Sequence, residues 1–230
     1  MKRNVISGLL VALGSVACAT GECPSVDAPE PGPEHEGLLD PMSAEFTEPP
    51  PDTFHVRLAT TGGEVLIEVV TAWAPMGATR FYNLVRHGFY DGSAFFRVLP
   101  GYIAQFGASP IPAVQGAWDQ AQLPDDSVRM SNTRMTVTFA AAGPNTRTTQ
   151  LFVNYGDNSW LDTRGFAPFG RVIDGSGALL ALHSGYGEVA PEGNGPNYGC
   201  MLEGGGAYLE RSFPELDRIE RAEIIAIPKR

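Results

Sequence analysis

The 230-residue chain has only three cysteines, Cys18, Cys23 and Cys200, and no Cys-x-x-Cys spacing. That excludes a thioredoxin-like redox pair and a cysteine-based zinc site. Histidine is almost as scarce: His35, His55, His87 and His183 stand apart, none in a nucleophile-elbow or zinc-type motif. A hydrolytic triad therefore has no motif to rest on. No Lys-Ser/Thr follows Gly204-Gly205-Gly206, so this run reads as a flexible turn rather than a phosphate loop. Positive charge is also short, with 16 Lys and Arg against 26 Asp and Glu. A net charge of -10 leaves no cationic surface for phosphate backbones or anionic lipid, which excludes nucleic acid as a partner. The apolar stretch from Val5 to Val16 falls short of the ~20 residues of a membrane-spanning helix. There is no internal repeat.

What is present begins at the N-terminus. Lys2 and Arg3 precede that apolar stretch, and the small residues Ser15, Ala17 and Ala19 close it, as in a secretory signal over residues 1–19. Its removal takes the formal charge from -10 to -12. Two cleavage readings stand. Ala17-Cys18-Ala19 fits a small-x-small site before Thr20. Ser15-Val16-Ala17-Cys18 resembles a bacterial lipobox, with Cys18 lipidated as the only membrane attachment. Ser15 departs from the usual aliphatic residue, while the tether-like segment that follows favours the lipobox. Either way the protein is expected to be exported, to the periplasm or cell envelope. Cys23 and Cys200 then remain as a candidate pair in an oxidising compartment, paired or free.

Residues 20–52 read as a Pro-rich acidic linker. Pro24, Pro29, Pro31, Pro33, Pro41, Pro49, Pro50 and Pro51 lie among acidic residues, a composition that buries little and stays extended. From Phe54 the pattern changes. Phe54, Val56 and Leu58 alternate with polar neighbours, Thr61-Gly62-Gly63 marks a turn, and Val65, Ile67 and Val69 alternate again, which makes a hairpin. Pro75 opens a helix whose stripe is Ala78, Phe81, Tyr82 and Val85, with Gly88 as its stop. Strand-like runs follow at 95–99, 102–106, 135–140, 151–154 and 169–173, a short helix at 178–183 and a last strand at 221–227. Some eight strands and two helices without regular βαβ alternation favour an all-β barrel over residues 53–230.

Two segments carry chemistry. In residues 95–107 Arg97 sits in an apolar run, followed by a Pro100-Gly101 turn, Tyr102, Ile103 and Gln105. If both arms are strands, Ile103 and Gln105 share a face. Buried Arg and Gln demand partners, so this placement is either functional or an Arg paired with a carboxylate at a barrel rim. In residues 139–154 a strand leads into Gly143-Pro144-Asn145-Thr146, and Gln150 and Phe152 alternate onto one face of the strand that leaves. Trp160-Leu161-Asp162 and Phe169-Gly170-Arg171-Val172 follow; taken singly, each aromatic is more often plain core. Asp125 and Asp126 read as a turn.

Together these segments resemble the cyclophilin family, over roughly residues 54–227. The motifs are Phe-x-Arg-x-x-Pro-Gly-aromatic-x-x-Gln, Ala-Gly-Pro-Asn-Thr with Gln-x-Phe, and Trp-Leu-Asp before Phe-Gly-Arg-Val. The stretch 165–170 and the long segment after His183 look like a bacterial branch. The resemblance implies an eight-stranded antiparallel barrel capped by two helices, with the site on its outer wall. It implies peptidyl-prolyl cis/trans isomerisation without metal or cofactor, acting on proline-containing polypeptides. Arg97 and Gln105 match the catalytic pair. Tyr102, Ile103, Ala141, Ala142, Gln150, Phe152, Trp160 and Leu161 match peptide-binding positions, with Phe152 at the base of the proline pocket. Two positions depart: Ala141 stands where many relatives have Asn, and the usual pocket His is missing from a loop one residue longer, where Phe166 offers apolar contact instead. A cyclosporin-type inhibitor is accordingly expected to bind with weakened affinity. Monomer is the default state. The rival readings are a non-catalytic Pro-peptide-binding module and a tethered scaffold of the same fold.

Overall fold

Apolar residues at every second position can be buried together only if the strand lies with one face on a core. The first hairpin does this: β1 (Thr53–Thr60) pairs antiparallel with β2 (Gly63–Val70), with Val56 opposite Ile67 and Leu58 opposite Val65, all buried. The computed structural model describes residues 22–226; the signal segment 1–19, with Cys18, and Ile227 of the last strand lie outside them. Further strands are β3 (Arg97–Leu99), β4 (Ile103–Phe106), β5 (Thr136–Phe139), β6 (Leu151–Asn154), β7 (Pro168–Asp174), β8 (Val189–Ala190), β9 (Gly195–Asn197) and β10 (Ile219–Ile225). The helices are α1 (Pro75–Arg86), α2 (Pro112–Asp119), α3 (Ser176–Leu180) and α4 (Tyr198–Ser212).

Eight strands form one antiparallel sheet in the order β10-β1-β2-β7-β5-β6-β4-β3, and β8 and β9 form a small parallel pair outside it. The sheet curls until its ends meet. Gly92 N donates to Ile219 O (2.7 Å), Ile219 N to Ser93 O (2.9 Å) and Phe95 N to Asp217 O (2.9 Å). Curling leaves the outer edges few free backbone groups and encloses a core of Val137, Leu151, Phe106, Phe81, Phe169 and their neighbours. The expected all-β antiparallel barrel is the observed architecture. Helix α1 begins at Pro75, and its first free N–H groups are taken by a distant carboxylate: Asp126 accepts from Met76 N (3.0 Å) and Gly77 N (2.9 Å).

Helices α1 and α3 are those the periodicity indicates. Helices α2 and α4 are additional, and composition explains why they are hard to read. Helix α2 has eight residues, and α4 carries the triple glycine taken above for a flexible turn. Gly205, at φ 52° and ψ -136°, kinks α4 in the middle. A Cβ there would lie 2.1 Å from Pro110 O, and Gly206 N donates to that same carbonyl at 2.7 Å. The glycines buy close approach of α4 to the loop before α2, and packing overrides their poor helix propensity. Among the described residues, no helix is long and apolar enough to cross a membrane.

The expectation that residues 24–52 bury little and stay extended needs correction. The segment straps across the barrel with two 3-10 turns, Pro33–Leu39 and Ala44–Thr47, which bury Leu38 and Phe46. Trp118 Nε1 of α2 donates to Leu38 O (2.8 Å), the Phe46 ring meets Trp118 edge-on at 4.8 Å, and Asn83 Nδ2 reaches Glu48 O (2.9 Å). Composition hides this because two apolar anchors among eight prolines barely move the average. Further up the strap, Cys23 is disulfide-bonded to Cys200 of α4. Replacing Phe46 with Ala should cost about 3 kcal/mol of stability. Denaturant unfolding measures this, and a loss below about 0.5 kcal/mol, the level of an ordinary surface change, would show the strap to be loosely attached.

Candidate active site

The site is built by register. Leu99-Pro100-Gly101-Tyr102 turns the chain, with Gly101 at φ 77° and Tyr102 N donating to Leu99 O (2.9 Å), so that β3 folds back on β4. Proline at the second position and glycine at the third suit this type of turn. Arg97 then lies opposite Gln105, Gln105 opposite Phe152 of β6, and Phe152 opposite Thr138 of β5. Residues directly opposite in an antiparallel pair share a face, so these four form one row on the outer wall. Ile103, two residues from Gln105, joins that face, while Val98, Ala104, Phe106 and Val153 point into the barrel core.

The row divides into a polar and an apolar half. Arg97 Nη1 donates to Gln105 Oε1 (3.1 Å), and Gln105 Nε2 donates to Gln150 Oε1 (2.9 Å). Beside them Ile103, Phe152 and Leu161 form a buried cluster with Tyr102, Ala140 and Phe166 packed around it. Phe166 meets Phe152 edge-on at 5.9 Å, so it does supply an aromatic wall. Trp160 stacks on Tyr102 at 6.2 Å and is half exposed at the rim, and the Arg97 guanidinium lies 5.8 Å from the Tyr102 ring centre. Ala141 and Ala142 line a groove of about 660 Å³ that also runs past Arg97, Gln105 and Gln150. The structure thus brings all eleven sequence-derived positions to one side of the barrel.

Buried polar groups hold the rim. Trp160 and Leu161 sit on a 3-10 turn, Ser159–Arg164, and Asp162 of this turn is bound by Ser131 Oγ and by Asn132 N (2.9 Å) and Nδ2 (2.8 Å). Partial burial alone would raise the Asp162 carboxyl, but these hydrogen bonds outweigh it and hold it below the usual carboxylate range. Asn132, fully buried, also donates to Phe166 O (2.8 Å) and accepts from Thr138 Oγ1 (2.8 Å) beneath Phe152. On the opposite rim, Thr146 Oγ1 accepts from Ala142 N (2.9 Å) and Gly143 N (3.0 Å). Arg147, also buried, pairs with Asp126 at 2.9 Å and anchors the same loop.

Sequence reasoning missed the far wall of the groove. The segment after His183 returns over the barrel and lines the groove with Glu188, Val189, Glu192, Tyr198 and Met201. Glu188 accepts from Arg97 Nε with one oxygen and from Nη2 with the other, the latter at 2.7 Å. This hydrogen bonding is the main reason that its carboxyl lies below its ordinary value. Tyr198 bonds Asp119 of α2 (3.0 Å), and burial is the main cause of its raised phenol pKa. Of the two sequence readings of Arg97, the rim ion pair is present, with Glu188 as the carboxylate. Among the described residues, no three His, Cys, Asp or Glu side chains gather to hold a metal ion.

The structure is thus an antiparallel barrel with an Arg–Gln pair on its outer wall, beside a buried apolar cluster of Ile103, Phe152 and Leu161. The family model described as "Cyclophilin type peptidyl-prolyl cis-trans isomerase/CLD" matches residues 55–196, and the chain belongs to that family. Its activity is peptidyl-prolyl cis/trans isomerisation. The chain is 35% identical over 125 residues to "Peptidyl-prolyl cis-trans isomerase ppi1" of Schizosaccharomyces pombe, covering 53% of this chain and 79% of that one. It is 32% identical over 126 residues to "Peptidyl-prolyl cis-trans isomerase A" of Dickeya dadantii, covering 53% and 66%. A crystal structure of a Cryptosporidium parvum cyclophilin type isomerase superposes with a TM-score of 0.57 at 20% identity, over 76% of this chain and 99% of that one. A second structure of that protein, in the presence of the dipeptide Ala-Pro, gives 0.56. At this identity the likeness is one of fold.

Asn132→Ala should strip Thr138 Oγ1 of its acceptor and Phe166 O of its side-chain donor, and take one of three hydrogen bonds from Asp162. The expected cost is about 2 kcal/mol or more in denaturant unfolding, and the Phe166 wall should loosen. A variant as stable as wild type would show that the network is not what holds the rim.

Proposed function

We propose that Arg97 is the catalytic residue of this isomerase and that Ile103, Phe152, Leu161 and Phe166 hold the proline ring while its peptide bond turns. Rotation about an X-Pro bond must break amide resonance, a barrier of roughly 18–20 kcal/mol. The isomers differ by only about 0.5–1 kcal/mol, so the enzyme need act only on the barrier. Lowering it by about 7 kcal/mol gives a rate gain on the order of 10⁵. As the bond twists, the prolyl nitrogen becomes pyramidal and gains a lone pair that the planar amide lacks. An Arg97 N–H donated to that lone pair strengthens only in the twisted state, which is the condition for catalysis. Gln105, Gln150 and the backbone at Ala141 and Ala142 hold the flanking peptide, with Tyr102 and Trp160 covering the open side. The observation that carries this reading is the continuous row Arg97–Gln105–Phe152, which sets a charged donor beside an apolar floor. The Ala-Pro dipeptide used with the Cryptosporidium parvum protein supports proline-containing polypeptides as the substrate class.

Arg97→Ala should lower kcat/KM on the order of 100-fold with the fold intact, and Arg97→Lys should not restore it, because an ammonium lacks the planar fork. A protease-coupled or NMR exchange assay on an X-Pro peptide tests this. Full activity in folded Arg97→Ala would remove the assignment. Peptide binding by wild type without faster exchange would favour the non-catalytic binder instead. With Ala141 and Phe166 at the rim, a cyclosporin-type inhibitor should bind weakly.

The protein acts outside the cytoplasm, as a monomer, on exported or envelope proteins. The basic and apolar N-terminus supports this, as does the pairing of Cys23 with Cys200, since disulfides persist in oxidising compartments. Expression from the full gene should yield chains lacking residues 1–17 or 1–19, and membrane fractionation with intact-mass measurement separates lipidated Cys18 from a soluble start at Thr20. An uncleaved cytoplasmic chain would overturn the export reading.

A further inference from the structure

We infer that Glu188 is a positioning residue for the isomerase reaction: its carboxylate grips one edge of the Arg97 guanidinium and thereby aims the other at the substrate groove. This inference rests on the catalytic role proposed for Arg97. A guanidinium carries five N–H groups in one plane. Three are taken: Nε and one on Nη2 by the two Glu188 oxygens, and one on Nη1 by Gln105. Among the described residues, one N–H on each of Nη1 and Nη2 is left to donate. Two partners on different sides fix both the plane and its rotation, which a flexible side chain held by Gln105 alone would not have.

Glu188 is itself held. Its neighbours Tyr186 and Val189 pack into a second hydrophobic cluster, separate from the barrel core, with Phe96, Met201, Tyr208 and Leu209. Val189 N donates back to Glu188 Oε1 (3.0 Å), and Gly195 N of β9 donates to Glu188 O (2.7 Å). The carboxylate thus projects from a built element. That element walls the groove without filling it: the groove past Arg97 stays open, and the apolar cluster of Ile103, Phe152 and Leu161 contains no residue of the insert. A lid that shut the site would occupy one or the other. The depressed Glu188 carboxyl, due first to its hydrogen bonding by Arg97, fits a lasting pair. Fixing a reacting group in place is worth large factors in rate, since small misplacements are costly.

The test compares wild type, Glu188→Ala, Glu188→Gln and Glu188→Asp on one X-Pro peptide, with thermal unfolding to establish that each is folded. Glu188→Ala should lower kcat about tenfold or more with little change in KM. Glu188→Gln, which keeps one acceptor, should recover part of the loss. In an Arg97→Ala background, Glu188→Ala should change nothing further. Unchanged or increased kcat in Glu188→Ala would overturn the inference, an increase marking Glu188 as a restraint on Arg97. A second readout does not depend on turnover. The Arg97 Nε–H signal in nitrogen-15 NMR should be protected from solvent exchange in wild type and lose that protection in Glu188→Ala. A signal that exchanges equally fast in both overturns the pairing even if the protein proves to bind proline peptides without isomerising them. Wild type without activity but with a protected signal would count against the catalytic reading of Arg97 alone.

Discussion

An arginine set among apolar strands must keep acceptors for its N–H groups, because an unpaired buried donor costs about 1–3 kcal/mol. Here that requirement organises the whole outer wall. Gln105 is placed opposite Arg97 by the tight turn at Pro100-Gly101 and answers one donor; Gln150 then answers Gln105. Glu188 arrives from 91 residues away in sequence to answer two more. With these contacts made, the guanidinium can stand beside Phe152 and Ile103 without collapsing onto the strand or swinging into solvent. The neighbouring cluster of Ile103, Phe152 and Leu161 is buried and apolar, and a remaining N–H beside it is stronger than it would be in water.

The pieces added to the barrel are joined to one another, and together they lead to that same arginine. The N-terminal strap is pinned on α2 through Trp118 and on α4 through the Cys23–Cys200 disulfide. Helix α2 is tied to the start of α4 by Asp119 and Tyr198. The Asn197 side chain at the end of β9 accepts from Cys200 N and caps α4, and β9 pairs with β8, next to Glu188. The disulfide closes a loop of 177 residues, which in the chain-entropy model is worth on the order of 5 kcal/mol, a large fraction of the net stability of a domain. The insert can therefore hold a shape of its own on a small cluster of apolar residues. Without that covalent tie, a segment so rich in glycine would lose more backbone entropy on ordering than its cluster of contacts could readily offset.

Most of the barrel was legible because its strands follow a period of two, and the first hairpin and the 151–154 strand fall where the alternation puts them. The site was legible for a related reason: turn residues fix register, and register decides which side chains share a face. Alternation put Ile103 with Gln105 and Gln150 with Phe152; that these two faces meet beside Arg97 was carried by the family resemblance, because the pairing of β4 with β6 spans about 45 residues. The strap was not legible, because few apolar side chains carry its packing, Leu38 and Phe46 foremost, and their partner Trp118 lies about 80 residues away. Helix α4 was hidden by its glycines, whose use emerges only against Pro110. Glu188 has no local signature at all. One carboxylate among 26 acidic residues gains meaning only when the insert folds back over β3.

In the proposed reading of the site, Ala141 and Phe166 belong to the substrate-holding side rather than to the bond-turning side. A side chain that grips the peptide backbone equally in planar and twisted states deepens ground and transition states together, so its loss acts mainly on KM. A donor whose acceptor exists only in the twisted state acts on kcat. Replacing an Asn by Ala at 141 removes a contact of the first kind. Phe166 would offer apolar area against Phe152 in both states alike. Under the proposed mechanism the discriminating contact is that of Arg97, whose hydrogen bonds to Gln105 and Glu188 are complete. On that proposal, a site that holds the peptide weakly while keeping three hydrogen bonds on its guanidinium would turn over loosely bound proline segments rather than retain them.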